Sequence, residues 1–296
     1  MTYRFQINPA RADVATSNTL LNGRARSYFD PGYKTTLSIK SVVRGESLYV
    51  TRHSTYRIRP DRFAILNRGQ EYTLQIRPEP QTETLALFFQ PGFVETVLDG
   101  KERSSASLLD EPVAALRDIE LPERLYPMDG AVGHTLGEIA AQLHDPARSP
   151  EWLEERFYAL AASLATLQNR VRREIETFPG LRVATREELY RRLHFAKDLI
   201  DSCFEDPWTI DQLAERAFLS PFHFLRMFRQ AFGPTPMQYL QGRRLEEARR
   251  LLESGCSVSD ACTAVGFQSL PSFSLLFKRS FGCSPSRLRS QKRRTR

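Results

Sequence analysis

The chain predicts an α+β protein of two domains, a strand-rich N-terminal half and an all-helical C-terminal part, and three observations predict it. Apolar residues recur at period two from Thr35 to Phe89 and at helical period beyond Pro91-Gly92. One helical unit occurs twice near the C-terminus. Charge divides the same way: residues 182–296 hold 20 Lys and Arg against 12 Asp and Glu, whereas residues 1–181 hold 22 against 23. A length of 296 residues and an apolar share of 41% suffice for two cores.

In the N-terminal half, Leu37, Ile39, Ser41 and Val43 share one face. Tyr56 and Ile58, Phe63 and Ile65, then Tyr72, Leu74 and Ile76, and last Leu85, Leu87 and Phe89 repeat the alternation. Turn signals at Asp30-Pro-Gly, Arg44-Gly45, Arg59-Pro-Asp and Asn67-Arg-Gly separate the strands, which predicts an antiparallel sandwich or barrel over about residues 15–93. Residues 1–15 are either an ordered arm or a loose terminus.

Helices follow over about residues 94–177. Val132, Leu136, Ile139 and Leu143 form one stripe; Leu153, Phe157, Leu160, Leu164, Leu167 and Val171 form another, at a/d spacing. That seam packs on the barrel or pairs with the same helix of a second copy; dimerisation is the expectation. Thr177-Phe-Pro-Gly-Leu-Arg-Val-Ala-Thr185 closes the first domain, 1–178, with a linker at 179–185 before a new helix near Thr185 and Glu188.

A closed sheet leaves an interior lined by alternate residues, and Tyr28, Tyr33, Arg44, Tyr49, His53 and Phe88 are candidates for an effector pocket there. The competing reading is that these aromatics fill the core. Metal-dependent catalysis in such a barrel needs several His and a carboxylate. The chain has 5 His, only His53 in the strand region, no His-x-His, and a residue such as Tyr72 at the second ligand position. No metal, cofactor or catalytic residue is therefore expected, and no phosphate-cradling glycine loop or nucleophile motif occurs. No apolar targeting stretch follows Met1 and no run reaches membrane-spanning length, so no membrane association and a cytoplasmic location are expected. The cysteines at 203, 256, 262 and 283 form no Cys-x-x-Cys and read as reduced.

In the repeat, Ile210 matches Val258 and Ala214 matches Cys262; Ser220, Phe224, Phe228, Arg229, Phe232, Gly233 and Pro236 match Ser269, Phe273, Phe277, Lys278, Phe281, Gly282 and Pro285. Spacing shifts by one residue at the turn, which leaves both helices intact. In the first copy Ser220 and Pro221 open a second helix whose buried stripe is Phe224, Met227, Phe228 and Ala231. Phe222, Leu225, Arg226 and Arg229 share the opposite face, the one a DNA major groove would meet. The basic excess of this part suits a polyanion.

The segment from about Glu187 to Arg289 resembles the DNA-binding domain of the arabinose-regulator (AraC/XylS) family of bacterial transcription factors, most specifically in Ala264-Val-Gly-Phe-Gln-Ser…Phe273-Ser-Leu-Leu-Phe-Lys-Arg-Ser-Phe-Gly-Cys-Ser-Pro285. The resemblance implies a jelly-roll, cupin-like N-terminal barrel with a helical dimerisation segment, then a tandem helix-turn-helix domain at 186–290 and a basic tail at 291–296. It implies that Pro236–Ser254 joins the units, with Glu246 paired to Arg250. Base contacts fall on Phe222, Leu225, Arg226, Pro271, Ser272, Ser274 and Leu275; phosphate contacts fall on Arg229, Arg243, Arg244, Arg250, Lys278 and Arg279. Arg226 can read guanine bidentately and Leu275 in the other copy cannot, so the first unit should dominate specificity.

The function these readings imply is a sequence-specific, homodimeric transcription activator that binds double-stranded operator DNA, senses a small molecule in its barrel and contacts RNA polymerase. The alternatives are an effector-independent regulator controlled by abundance or a protein partner, and a cupin-type enzyme or binding protein.

Overall fold

The computed structural model describes residues 3–7, 16–52, 54–78, 81–102, 119–145, 149–179 and 183–293. The chain divides into two compact units, Met1–Phe178 and Pro179–Arg296.

Unit 1 is a sandwich of two sheets followed by helices. The larger sheet has the order β1 (Tyr3–Ile7), β2 (Asn18–Ala25), β9 (Thr82–Phe88), β4 (Ser38–Arg44), β7 (Arg62–Leu66) and β10 (Leu125–Pro127). The smaller has β3 (Tyr28–Lys34), β8 (Glu71–Ile76), β5 (Ser47–Thr51) and β6 (Thr55–Ile58). Every pairing is antiparallel except that of β1 with β2. Gly45 and Gly69 take positive φ in the turns after β4 and β7, as those turn signals require.

Of the two readings of residues 1–15, Tyr3–Ile7 takes the ordered one: it is an edge strand, β1, whose backbone groups pair along β2. Two features depart from the sequence reading. Asp30-Pro31-Gly32 makes a bulge inside β3 rather than a turn: the β3–β8 register shifts between Asp30 and Tyr33, with Gly32 at φ 68°. The stretch expected to be helical also contributes β10, whose Leu125 and Tyr126 pair with Ala64 and Phe63; Tyr126 stacks on Phe63 at 5.6 Å.

Both faces of β4 are buried. Val42, Ala64, Leu66, Tyr49, Tyr56, Ile58 and Tyr72 meet between the sheets. On the opposite face, Phe89 packs edge-on against Phe157 of α3 (Pro150–Thr177) at 5.4 Å. That helix also packs on α1 (Phe93–Glu102) and α2 (Ala131–Gln142).

The a/d seam of α3 is thereby accounted for. Leu153, Phe157, Leu160, Leu164, Leu167 and Val171 are all buried within the single chain. The expectation that they form a dimer seam is corrected: heptad spacing marks a face that must be covered, and here the chain itself covers it.

Unit 2 is all-helical: α4 (Val183–Ser202), α5 (Ile210–Arg216), α6 (Pro221–Phe232), α7 (Pro236–Glu253), α8 (Val258–Ala264), α9 (Leu270–Phe281) and α10 (Pro285–Arg293). Two boundaries move. Helix α4 begins at Val183, inside the expected linker at 179–185, because the breakers Pro179 and Gly180 lie ahead of it; residues 180–182 lie outside the described residues. Helix α10 runs through Arg293 into the expected tail, capped by the Ser284 hydroxyl and without an internal breaker; residues 294–296 lie outside the described residues.

Capping boxes at Thr209 with Gln212 and Thr235 with Gln238 fix where α5 and α7 start. Repeat-matched phenylalanines Phe224, Phe228, Phe273 and Phe277 are fully buried, and Ala214 and Cys262 are buried where the short helices meet them.

Candidate nucleic-acid interface and sandwich interior

Each helix-turn-helix unit presents its second helix by burying one side of it. Phe224, Met227 and Phe228 hold α6, and Phe273 and Phe277 hold α9. Phe222, Arg226 and Arg229 are exposed on α6, with Leu225 half-buried; Pro271, Ser272, Leu275, Lys278 and Arg279 are exposed on α9, with Ser274 half-buried. Phe222 is 77% exposed and Leu275 70%, which no folding interaction within a helical unit explains. Phe222, Leu225, Arg226, Arg229 and Gln230 line one open groove that continues to Thr235. Ser269 caps α9 through its hydroxyl, whereas Ser220 stands at the start of α6 without such a bond, where Pro221 leads into the helix.

The joining helix contradicts part of the phosphate set. Arg243 lies 2.8 Å from Asp201, whose buried carboxylate also receives the Tyr239 hydroxyl at 2.8 Å and Lys197 at 3.2 Å. Arg244 donates to the carbonyls of Phe204 and Asp206, each at 2.7 Å. Burial lowers its guanidinium pKa, while Glu205 and Asp206 act in the opposite direction. Both arginines tie α7 to α4 and the loop after it, so neither is free for phosphate. Arg250 is exposed and pairs with Glu247 at 2.9 Å instead of Glu246, which takes Arg243 at 2.6 Å.

Sequence reasoning missed Phe218. It occupies the turn position that Gly266 holds in the second copy, takes φ 53°, and is 75% exposed. Arg192 donates to its carbonyl at 2.9 Å, which steadies the unusual backbone. The signal was available: an aromatic stands where the repeat has glycine.

In the sandwich interior the candidate pocket residues part company. Tyr33, Tyr49 and Phe88 come together around Tyr72: the Tyr33 and Tyr49 rings lie 5.8 and 5.5 Å from it, and Phe88 packs against Tyr33. Tyr28 and Arg44 are exposed and are corrected, since each sits at a strand end where alternation no longer implies an interior. His53 lies outside the described residues. Burial pushes the Tyr49 and Tyr72 hydroxyls far above their ordinary range, so both stay neutral donors.

A second missed residue lies among them. Lys40 on β4 is fully buried, donates to the Tyr72 hydroxyl at 3.4 Å and sits 3.5 Å from the Phe88 ring centre. Burial draws its amine well below the usual lysine range. Among the described residues no cluster of three or more metal-ligating groups occurs, and no helix is long and apolar enough to cross a membrane.

Known families agree with this arrangement. The family model described as AraC-like ligand binding domain matches residues 19–161, and the one described as Helix-turn-helix domain matches residues 213–291. The chain belongs to the AraC/XylS family. Among curated AraC-type relatives, the HTH-type transcriptional regulator AlkR of Acinetobacter baylyi is 38% identical over 88 residues, 29% of each chain. The HTH-type transcriptional activator RhaS of Escherichia coli is 37% identical over 99 residues, covering 33% of this chain and 36% of that protein. The HTH-type transcriptional regulator ExsA of Pseudomonas aeruginosa is 24% identical over 255 residues, covering 84% and 78%. The chain spans between 29% and 44% of the length of the first curated relatives it matches. Within the AraC/XylS family, then, this chain carries both the DNA-binding and the ligand-binding parts.

Proposed function

We propose that this chain is a sequence-specific transcription regulator that lays α6 and α9 into successive major-groove segments of operator DNA and activates transcription in response to a small molecule held in the sandwich. The observation that carries it is the pair of outward faces. Two helices of one chain each expose a mixed apolar and basic side that the buried phenylalanines leave free. One exposed guanidinium, Arg226, carries the paired donors that guanine accepts, while the exposed Phe222 and Leu275 suit thymine methyls. Arg229, Arg250, Lys278 and Arg279 supply phosphate contacts.

The converging Tyr33, Tyr49, Tyr72, Phe88 and Lys40 support the effector part of the reading. Selection of genomic fragments by the purified protein, at physiological salt, tests it. A common motif bound at least a thousand-fold above random DNA, with affinity changed by a compound from a metabolite panel, is the expected result. Salt-sensitive binding with no motif would overturn the regulator; a motif whose binding no compound alters would overturn the effector response alone.

A further inference from the structure

Lys40 stands on the inner face of β4 with alanines beside it in both neighbouring strands, Ala64 of β7 and Ala86 of β9. Phe88, two residues along β9 from Ala86, lays its ring over the amine from the same sheet. Across from it is Tyr72 of β8, with Tyr33 and Tyr49 beyond, and Asp30 acts on Tyr72 from the rim. No described carboxylate contacts the amine, which has the Tyr72 hydroxyl and two aromatic faces as its company. An ammonium buried without a counter-charge costs several kcal/mol, and an apolar side chain of similar volume is commonly as stable or more so. Folding therefore gives no reason for lysine at this position. A bound anion does, because it offsets that desolvation.

We propose that the sandwich interior binds a small organic monocarboxylate, its carboxylate held by Lys40 and the Tyr72 hydroxyl and its apolar body against Phe88, Tyr33 and Tyr49. This rests on the reading of unit 1 as an effector-binding domain. All the polar groups facing the ligand, Lys40 and the three tyrosine hydroxyls, can donate, which matches a ligand whose polar end only accepts. Tyr33 is the half-buried member of the set and marks the rim by which the ligand enters.

Titration calorimetry and thermal melts of the full-length protein test this with phenylacetate and hexanoate as probes, each against its uncharged amide. Both acids should raise the melting temperature and bind at least ten-fold tighter than the amides. Lys40→Met should fold, with a melting temperature equal to or above the parent, yet lose the acid preference; Lys40→Arg should keep the preference. Equal binding of acid and amide, full acid binding by Lys40→Met, or no binding of any of the four probes would each overturn the proposal. A neutral metabolite that binds unit 1 and alters DNA affinity would overturn it while leaving the effector reading standing. A wide metabolite panel with no effect on melting or on DNA affinity would remove both.

Discussion

Arg226 and Arg243 both belong to the basic unit, and their surroundings give them opposite roles. Arg226 is exposed on α6, and on the proposed function Arg226→Ala should weaken operator binding by about 1–3 kcal/mol while barely changing affinity for random DNA. Competition mobility shifts measure both; equal loss on the two DNAs would make Arg226 a phosphate contact instead. Arg243 shares a buried carboxylate with Lys197 and Tyr239, so Asp201→Ala should destabilise unit 2 by about 3–5 kcal/mol, read as a drop in the urea midpoint. An unchanged midpoint would contradict that role. Spacing along the sequence distinguishes the faces of a helix but not how deep each face lies. The exposure of Arg226 was therefore readable from sequence, while the internal contacts of Arg243 and Arg244 were not. Lys40 was hidden for a related reason: in an alternating strand, a lysine reads as the solvent side. Here the helices cover the outer face of the large sheet, and the face that carries the lysine turns inward.

At the scale of elements, the two turns contrast. Gly266 takes φ 81°, and a Cβ there would collide with the Glu205 carbonyl oxygen, so Gly266→Ala should destabilise by more than 1 kcal/mol. Phe218 holds the same left-handed conformation with a side chain, so Phe218→Gly should relieve about 1–2 kcal/mol of backbone strain, partly cancelled by the freedom glycine gains when unfolded. Opposite signs of the two changes in thermal melts are the expected pattern; destabilisation of similar size by both would show that Phe218 contributes through its ring. In α3, Leu164 is fully buried, and Leu164→Ala should cost about 2–5 kcal/mol. That loss should not depend on protein concentration, whereas a seam between two copies would show a concentration-dependent midpoint. Heptad periodicity announced the stripe and could not say what lay across it. Strand β10 escaped notice for lack of length, since three residues carry no periodicity. The bulge in β3 escaped because Asp-Pro-Gly is equally a turn signal.

For the whole molecule, the repeat and the charge division were visible because they are properties of long stretches, in which local ambiguities average out. The basic unit should bind random DNA with an affinity that falls steeply with salt, and Lys278→Ala should lower the slope of log K against log salt by about 0.9, the share of one phosphate contact. A slope unchanged by that substitution would place Lys278 off the backbone. On the proposed function, α6 and α9 are two groove-reading helices of one chain, joined in one unit by the arginine and phenylalanine contacts of α7 and its neighbours. Hydroxyl-radical footprinting of the purified protein on its selected operator tests this most directly, run beside Arg226→Ala. Two protected segments on one face of the duplex, about 34 Å apart, are expected, with the substitution weakening the segment under α6 first. A single protected segment, or two on opposite faces, would contradict it.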